Sequence, residues 1–153
     1  MPVHITRAAE SQAAEILVLQ RLAYQSEAEL YDDWKLPPLT QTLPEITAEF
    51  ANQHFLIARR GSEIIGSVRA AMQGNLCRIG RLIVHPDYQR QGIGRALMCA
   101  IETAHSIASI FEVFTGHKSI ANIAHYQSHG YKVSGRVSVS DKVTIVTLQK
   151  LHT

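Results

Sequence analysis

An apolar run, Leu82-Ile83-Val84, enters a turn at His85-Pro86-Asp87 and leaves it as Gln89-Arg90-Gln91-Gly92-Ile93-Gly94-Arg95. From there Ile93, Leu97, Ile101, Ala104 and Ile107 recur on one helical face, which predicts a helix over Gly92–Ala108. A strand that passes through a short loop into an amphipathic helix must pack that helix back onto its own sheet, so the chain is constrained to a covered-sheet architecture. The same order leaves the first amides of the helix without intrahelical acceptors. They lie at the positive end of the helix dipole, and Gly92 and Gly94 put no Cβ in front of them. Such a corner favours an anion, phosphate above all, and Arg90 and Arg95 flank it. No G-K-[ST] and no G-x-G-x-x-G is present, which argues against a Walker loop or a Rossmann site.

The remaining elements follow from pattern and punctuation. Val3 to Ile5 predicts an opening strand, and Ile16, Leu19, Ala23 and Leu30 predict a first helix within residues 10–30. Pro37-Pro38 cannot continue it. Thr42-Leu43-Pro44-Glu45 is a capping box that opens a second helix to about Asn52. Phe55–Arg59, Glu63–Met72 and Leu76–Val84 read as strands joined by hairpin turns at Arg60-Gly61-Ser62 and Gln73-Gly74-Asn75. After the central helix come a strand at Ile110–Phe114, a helix at Ser119–His129 and a terminal hairpin, Tyr131–Ser140 with Lys142–Gln149, turning near Asp141. The order predicts an α/β fold: a mixed, mainly antiparallel sheet of six to seven strands flanked by about four helices, in one domain spanning 1–153.

Composition removes several function classes. A net charge of +2 with a pI near 8.6 is too mild for a dedicated nucleic-acid binder. The start, Met1-Pro2-Val3-His4-Ile5, carries no basic and apolar leader, and no membrane span is expected. Cys77 and Cys99 have no C-x-x-C partner and read as reduced thiols, which suits a cytoplasmic setting.

Several side-chain groupings have two readings each. Ser119, Asn122, Tyr126 and His129 fall on one helical stripe, either a solvated face or one wall of a ligand groove, with Ile120, Ile123, Ala124 and Gln127 directed elsewhere and including the core-facing set. His125 and His129 stand at i, i+4, but no third ligand and no H-E-x-x-H pattern accompanies them, so no metal is expected. Arg69 and Arg81 sit in strands expected to be buried, where each is in a structural ion pair or offered to an anionic substrate, depending on hairpin register. Glu27, Glu29, Asp32, Asp33, Glu45 and Glu112 are candidate proton acceptors; Glu112 shares a strand face with Phe114 and is preferred. The Trp34–Thr42 segment is either a connector or a lid.

Leu82-Ile83-Val84 with Gln89-Arg90-Gln91-Gly92-Ile93-Gly94 resembles motif A of the GNAT superfamily of N-acetyltransferases, and Tyr126-x-x-x-Gly130-Tyr131 resembles the close of its motif B. The resemblance covers essentially the full chain. It implies a sheet splayed open after the fourth strand, with acetyl-coenzyme A in the cleft as co-substrate. Residues 90–95 would hold the pyrophosphate through backbone amides, and Leu82, Ile83 and Val84 would pair with the pantetheine arm. Gln89, Arg90, Gln91, Gly92, Ile93, Gly94, Arg95, Ser119, Asn122 and Tyr126 complete the implied cofactor-binding set, and Tyr126 is implied as the acid that protonates the departing thiolate. Two departures are evident. Ser119 stands where many relatives carry Asn, with Asn122 nearer the tyrosine, and Phe114 stands where some protein amino-terminal acetylating members carry Glu.

The implied reaction is direct acetyl transfer to a primary amine, with Glu112 as the base and a backbone N–H near Val84 stabilising the oxyanion. The expected partners are acetyl-coenzyme A and an amine acceptor, with no nucleic acid, no membrane and a homodimer as one assembly. The alternative is a non-catalytic acyl-coenzyme A sensor or structural module. Phosphoryl transfer would need a loop Lys followed by Ser or Thr, which the chain lacks.

Overall fold

The computed structural model describes residues 2–152. Along the chain come β1 (Val3–Arg7), α1 (Ala13–Ala23), α2 (Gln25–Tyr31), α3 (Pro37–Thr40), α4 (Leu43–Glu49), β2 (His54–Arg60), β3 (Glu63–Gln73), β4 (Leu76–Val84), α5 (Ile93–Ala104), β5 (Ile110–Gly116), α6 (Ile120–Ser128), β6 (Lys132–Ser138) and β7 (Thr144–Leu151). The strands form one seven-stranded sheet in the order β1-β2-β3-β4-β5-β7-β6. All neighbours are antiparallel except β4 and β5. The expected mixed, mainly antiparallel architecture is the one observed.

The central strands are apolar without alternation because both faces are covered. Residues 64–70 of β3 are buried throughout. On one side Leu56, Ile65, Val68 and Ile79 pack against Leu97, Met98 and Ile101 of α5. On the other, Phe55, Ile57, Ile64 and Ile83 pack against Ile16, Leu19 and Ile46 of α1 and α4. Gly66 lets α5 approach closely, since a Cβ there would lie 3.0 Å from Leu97 Cδ1 and 3.1 Å from Ile93 Cγ2.

Two features of β4 shape the cleft. Its register with β3 shifts, Ser67 facing Ile83 but Arg69 facing Gly80, so Val68 opposes both Arg81 and Leu82. Arg81 sits at this bulge with φ +51°. Before it, β4 and β5 part: they pair only from Leu76–Arg78 to Ile110–Glu112, and both strands then run on with the gap between them open.

The structure corrects several local expectations. The first helix is divided at Tyr24, where the Gln25 side chain, not its backbone amide, donates to the Arg21 carbonyl at 3.0 Å. Pro37 and Pro38 open the one-turn α3, taking the positions whose amides would be unpaired in any case. The α4 helix does carry the Thr42–Glu45 capping box but stops at Glu49, short of Asn52. Helix α5 stops at Ala104, and the His105 ring Nδ1 lies 2.8 Å from the Ile101 carbonyl. Ile107 therefore falls outside the helix and is 84% exposed, so it does not continue the face of Ile93, Leu97 and Ile101 on which its spacing placed it.

Candidate functional site

Gly92 caps α5 with φ +81°, and Arg90 before it has φ +63°, so the loop curls ahead of the helix. The first helical bond there runs from the Ala96 amide to the Gly92 carbonyl. The amides of Gly92, Ile93, Gly94 and Arg95 donate to no protein atom among the described residues. Four free N–H groups at the positive end of a 12-residue helix form an anion cradle. The turn feeding it is braced: the Asp87 amide donates to His85 Nδ1 at 3.0 Å, and the Tyr88 hydroxyl donates to Glu63 Oε1 at 3.1 Å.

A cleft of about 590 Å³ runs from this cradle along the splayed edge of β4. Leu82, Ile83 and Val84 form one wall, and Asn122, His125 and His129 of α6 the other. The His85 amide donates to the Ile65 carbonyl at 2.7 Å. Ladder alternation then turns the Val84 amide away from β3 and into the gap. His125 and His129 are both held below the ordinary imidazole range, first by burial, then by each other or by Arg95. Among the described residues no group of three or more His, Cys, Asp or Glu side chains is arranged to hold a metal.

A second, smaller cavity of about 140 Å³ lies beyond the end of the cleft. Leu36, Pro37, Pro38, Phe114, Val143 and Ile145 make it largely apolar, and Tyr24, Tyr31, Arg81 and Tyr126 add polar groups. Tyr24, Glu27, Leu82 and Asn122 line both spaces, so the two meet at these residues. A directed hydrogen-bond chain ends at this junction. The Lys118 amide donates to the Tyr31 hydroxyl at 2.9 Å. That leaves the Tyr31 proton for Ser119 Oγ at 2.7 Å and the Ser119 proton for Glu27 Oε2 at 2.7 Å. Asn122 donates to the other Glu27 oxygen at 3.3 Å.

Tyr126 packs its ring in the α5-side core and lines the smaller cavity, and its hydroxyl bonds to no protein group among the described residues. Burial, and then Tyr24 and Glu27, push it well above the ordinary tyrosine range, so it is a protonated phenol at neutral pH. Burial also raises Tyr24, against the pull of Arg81 and Arg69.

The segment over the smaller cavity is pinned from behind. Arg69, buried, donates to Gln20 Oε1 and Gln41 Oε1 at 3.0 Å each and pairs with Glu49 at 3.2 Å. Burial lowers its guanidinium to about 10, still charged at neutral pH. Gln20 in turn donates to the Pro38 carbonyl at 2.9 Å. Arg69 is thus a structural ion-pair residue, whereas Arg81 lines the smaller cavity with no carboxylate within 4.0 Å.

The cleft brings together Leu82, Ile83, Val84, Gln89, Arg90, Gly92, Ile93, Gly94, Arg95 and Asn122, with Tyr126 beyond the junction. Gln91 is exposed and lines neither space. Ser119 is buried behind the groove and acts on it through Glu27, while Asn122 faces it. Placing Glu112 at the reacting centre is corrected: it lies at the closed end of the β4–β5 gap, paired with Arg78 at 3.2 Å and accepting from Gln149 at 2.7 Å. Of the expected stripe, Asn122 and His129 face the groove, Tyr126 faces the smaller cavity and Ser119 neither, while Ile120, grouped with the residues pointing away, is 68% exposed. Sequence reasoning missed Tyr24 and did not separate Glu27 from the other carboxylates; both sit at the α1–α2 break, which left no local mark.

Residues 25–152 match the family described as Acetyltransferase (GNAT) domain. The chain is 30% identical over 128 residues, 84% of its length, to the UPF0157 protein YqkA of Bacillus subtilis, and spans only 37% of that protein. Its fold is similar to that of smu.2055 from Streptococcus mutans UA159 (16% identity, TM-score 0.84, 98% of this chain and 99% of that one). It is also similar to the PaiA N-acetyltransferase of Thermoplasma acidophilum, solved in complex with coenzyme A (18% identity, TM-score 0.78, 99% of both chains).

Proposed function

The chain belongs to the GNAT acetyltransferase family, and from that premise we propose that it moves an acetyl group from acetyl-coenzyme A to a primary amine held in the smaller cavity, with residues 1–153 acting as one catalytic unit. The observation that carries this reading is the meeting of two spaces of opposite character at Tyr24, Glu27, Leu82 and Asn122. One has free amides that suit a diphosphate, and the other has room for a small acceptor.

The free amides of Gly92 to Arg95 take the pyrophosphate, and the edge of β4 from Leu82 to Val84 receives the pantetheine arm as an added strand. This aims the thioester at the junction. An alkylamine with a pKa near ~10 must lose a proton before it attacks. Glu27, at the junction and held by Ser119 and Asn122, replaces Glu112 as the acceptor of that proton. The nitrogen forms the C–N bond first, giving a tetrahedral oxyanion that the Val84 amide stabilises. As it collapses the C–S bond breaks, Tyr126 gives its proton to the sulfur, and the proton still carried by the new amide nitrogen passes by way of solvent to restore the Tyr126 phenol. Holding both reactants at one junction supplies much of the acceleration.

The free thiols of Cys77 and Cys99 support the reducing, cytoplasmic setting proposed for it. The test is release of free thiol from acetyl-coenzyme A in the presence of a broad panel of amines. Amine-dependent thiol release supports the reading. Tight coenzyme A binding without thiol release for any amine identifies a sensor instead.

A further inference from the structure

Arg81 is the one cation lining the smaller cavity among the described residues; it has no charged partner there, and Tyr24 is the neighbour that hydrogen-bonds to it. Its Nε is buried with no hydrogen-bond partner among the described residues, and no carboxylate lies within 4.0 Å of it. Its neighbour across the bulge, Arg69, shows how this region treats a guanidinium that is purely structural: Glu49, Gln20 and Gln41 all accept from it. The other charge lining the cavity, Glu27, already receives Ser119 and Asn122. A cation with no counter-charge and an unpartnered Nε, beside Leu36, Pro37, Phe114, Val143 and Ile145, is unfavourable unless something else completes it. The backbone holds this arginine at φ +51°, a region that bulky residues rarely adopt. Strain of this kind persists where the side chain's position matters.

The group that best completes a guanidinium lacking a counter-charge is a carboxylate. The cavity holds about 140 Å³ and is largely apolar away from its tyrosines, with its amine-activating end at Glu27. Taking the acetyl-transfer reading as given, we propose that the acceptor is a free amino acid with an apolar side chain, its carboxylate gripped by Arg81 and its amino group presented at Glu27. A polyamine or aminoglycoside would place further positive charge beside Arg81. A protein amino terminus carries no carboxylate at that distance from its amine.

The experiment is calorimetric titration of the protein saturated with coenzyme A, using amino acids and their decarboxylated partners: leucine with isopentylamine, and phenylalanine with phenethylamine. The expected result is that an amino acid binds at least about tenfold more tightly than its matched amine. Arg81→Asn, which tolerates the left-handed backbone, should reduce that preference to below about twofold, and Arg81→Lys should keep part of it. The wild-type comparison needs no variant to fold. Equal or weaker binding of the amino acids, or no binding of either, overturns the inference. Thiol release measured on the same compounds separates this from the underlying reading. Turnover of amines without carboxylate preference overturns the amino-acid acceptor alone. Carboxylate-dependent binding with no thiol release leaves Arg81's role standing and overturns acetyl transfer.

Discussion

Replacing Tyr126 with Phe removes one oxygen from a side chain whose ring is buried in the core on the α5 side. The hydroxyl bonds to no protein group among the described residues, so its loss orphans no donor or acceptor, and the ring keeps its contacts with Tyr131 at a centroid distance of 6.0 Å. Folding stability should therefore change by less than about 0.5 kcal/mol. Coenzyme A affinity should also hold, because the free amides lie at the other end of the cleft. What is lost is a proton donor to the leaving sulfur, worth about 10²–10⁴-fold in turnover, or ~3–5 kcal/mol of barrier. kcat and kcat/KM should fall together, since the proton transfer takes place only in the transition state. Because burial keeps the phenol protonated well above its usual range, the wild-type kcat should show no basic limb from this group up to about pH 10. The assay is steady-state thiol release between about pH 6 and 10, with thermal melts of both proteins as controls. A Tyr126→Phe variant with wild-type kcat would refute the acid role, and a collapsed melting temperature would refute the packing argument.

Glu27→Gln should lower kcat by about 10²-fold while coenzyme A affinity stays within about twofold, as measured by calorimetry; unchanged turnover would move the base elsewhere. Gly92→Val meets no steric obstacle within the protein but forces a branched side chain to φ +81°. It should cost roughly 1–2 kcal/mol of stability and weaken coenzyme A binding more than about tenfold, with normal binding contradicting the cradle. Arg69→Met leaves Glu49, Gln20 and Gln41 without their shared donor and should cost about 3–5 kcal/mol, readable as a drop in melting temperature of roughly 6–20 °C. Stability should peak between about pH 7 and 9. His54, His125 and His129 are held below the ordinary range, so the folded state resists protons and loses stability as pH falls below about 6.5. Burial pushes the Cys77 thiol up to about 11 and raises Tyr24 and Tyr126, so stability falls as pH rises above about 9. Urea midpoints that fall from about pH 5 to 7 would contradict the first sign, and midpoints that keep rising from about pH 9 to 10 would contradict the second.

What the sequence made legible was local. The Thr42–Glu45 capping box, the glycine-bearing hairpin turns and the loop ahead of α5 each declare themselves within a few residues. The junction was hidden because it is assembled across the chain. Glu27 meets Ser119 and Asn122 from 92 and 95 positions away, and no periodicity records such a meeting. Arg81 was ambiguous for a related reason: the bulge opposite Val68 shifts side-chain alternation along β4, and an arginine at positive φ carries no sequence signature. Glu112 misled because sharing a strand face with Phe114 says nothing of where the β4–β5 gap opens, and it opens one step past Glu112. Ile107 kept the helical period three residues beyond the end of α5.

The central claim is that the amides where β4 feeds α5 grip the diphosphate of coenzyme A. Titrating coenzyme A into ¹⁵N-labelled protein while following backbone amide resonances tests it most directly. The account predicts the largest shifts and the strongest gain in exchange protection at Gly92, Ile93, Gly94 and Arg95, with smaller changes along Leu82 to Val84. Saturable binding that leaves those four amides unmoved would contradict it.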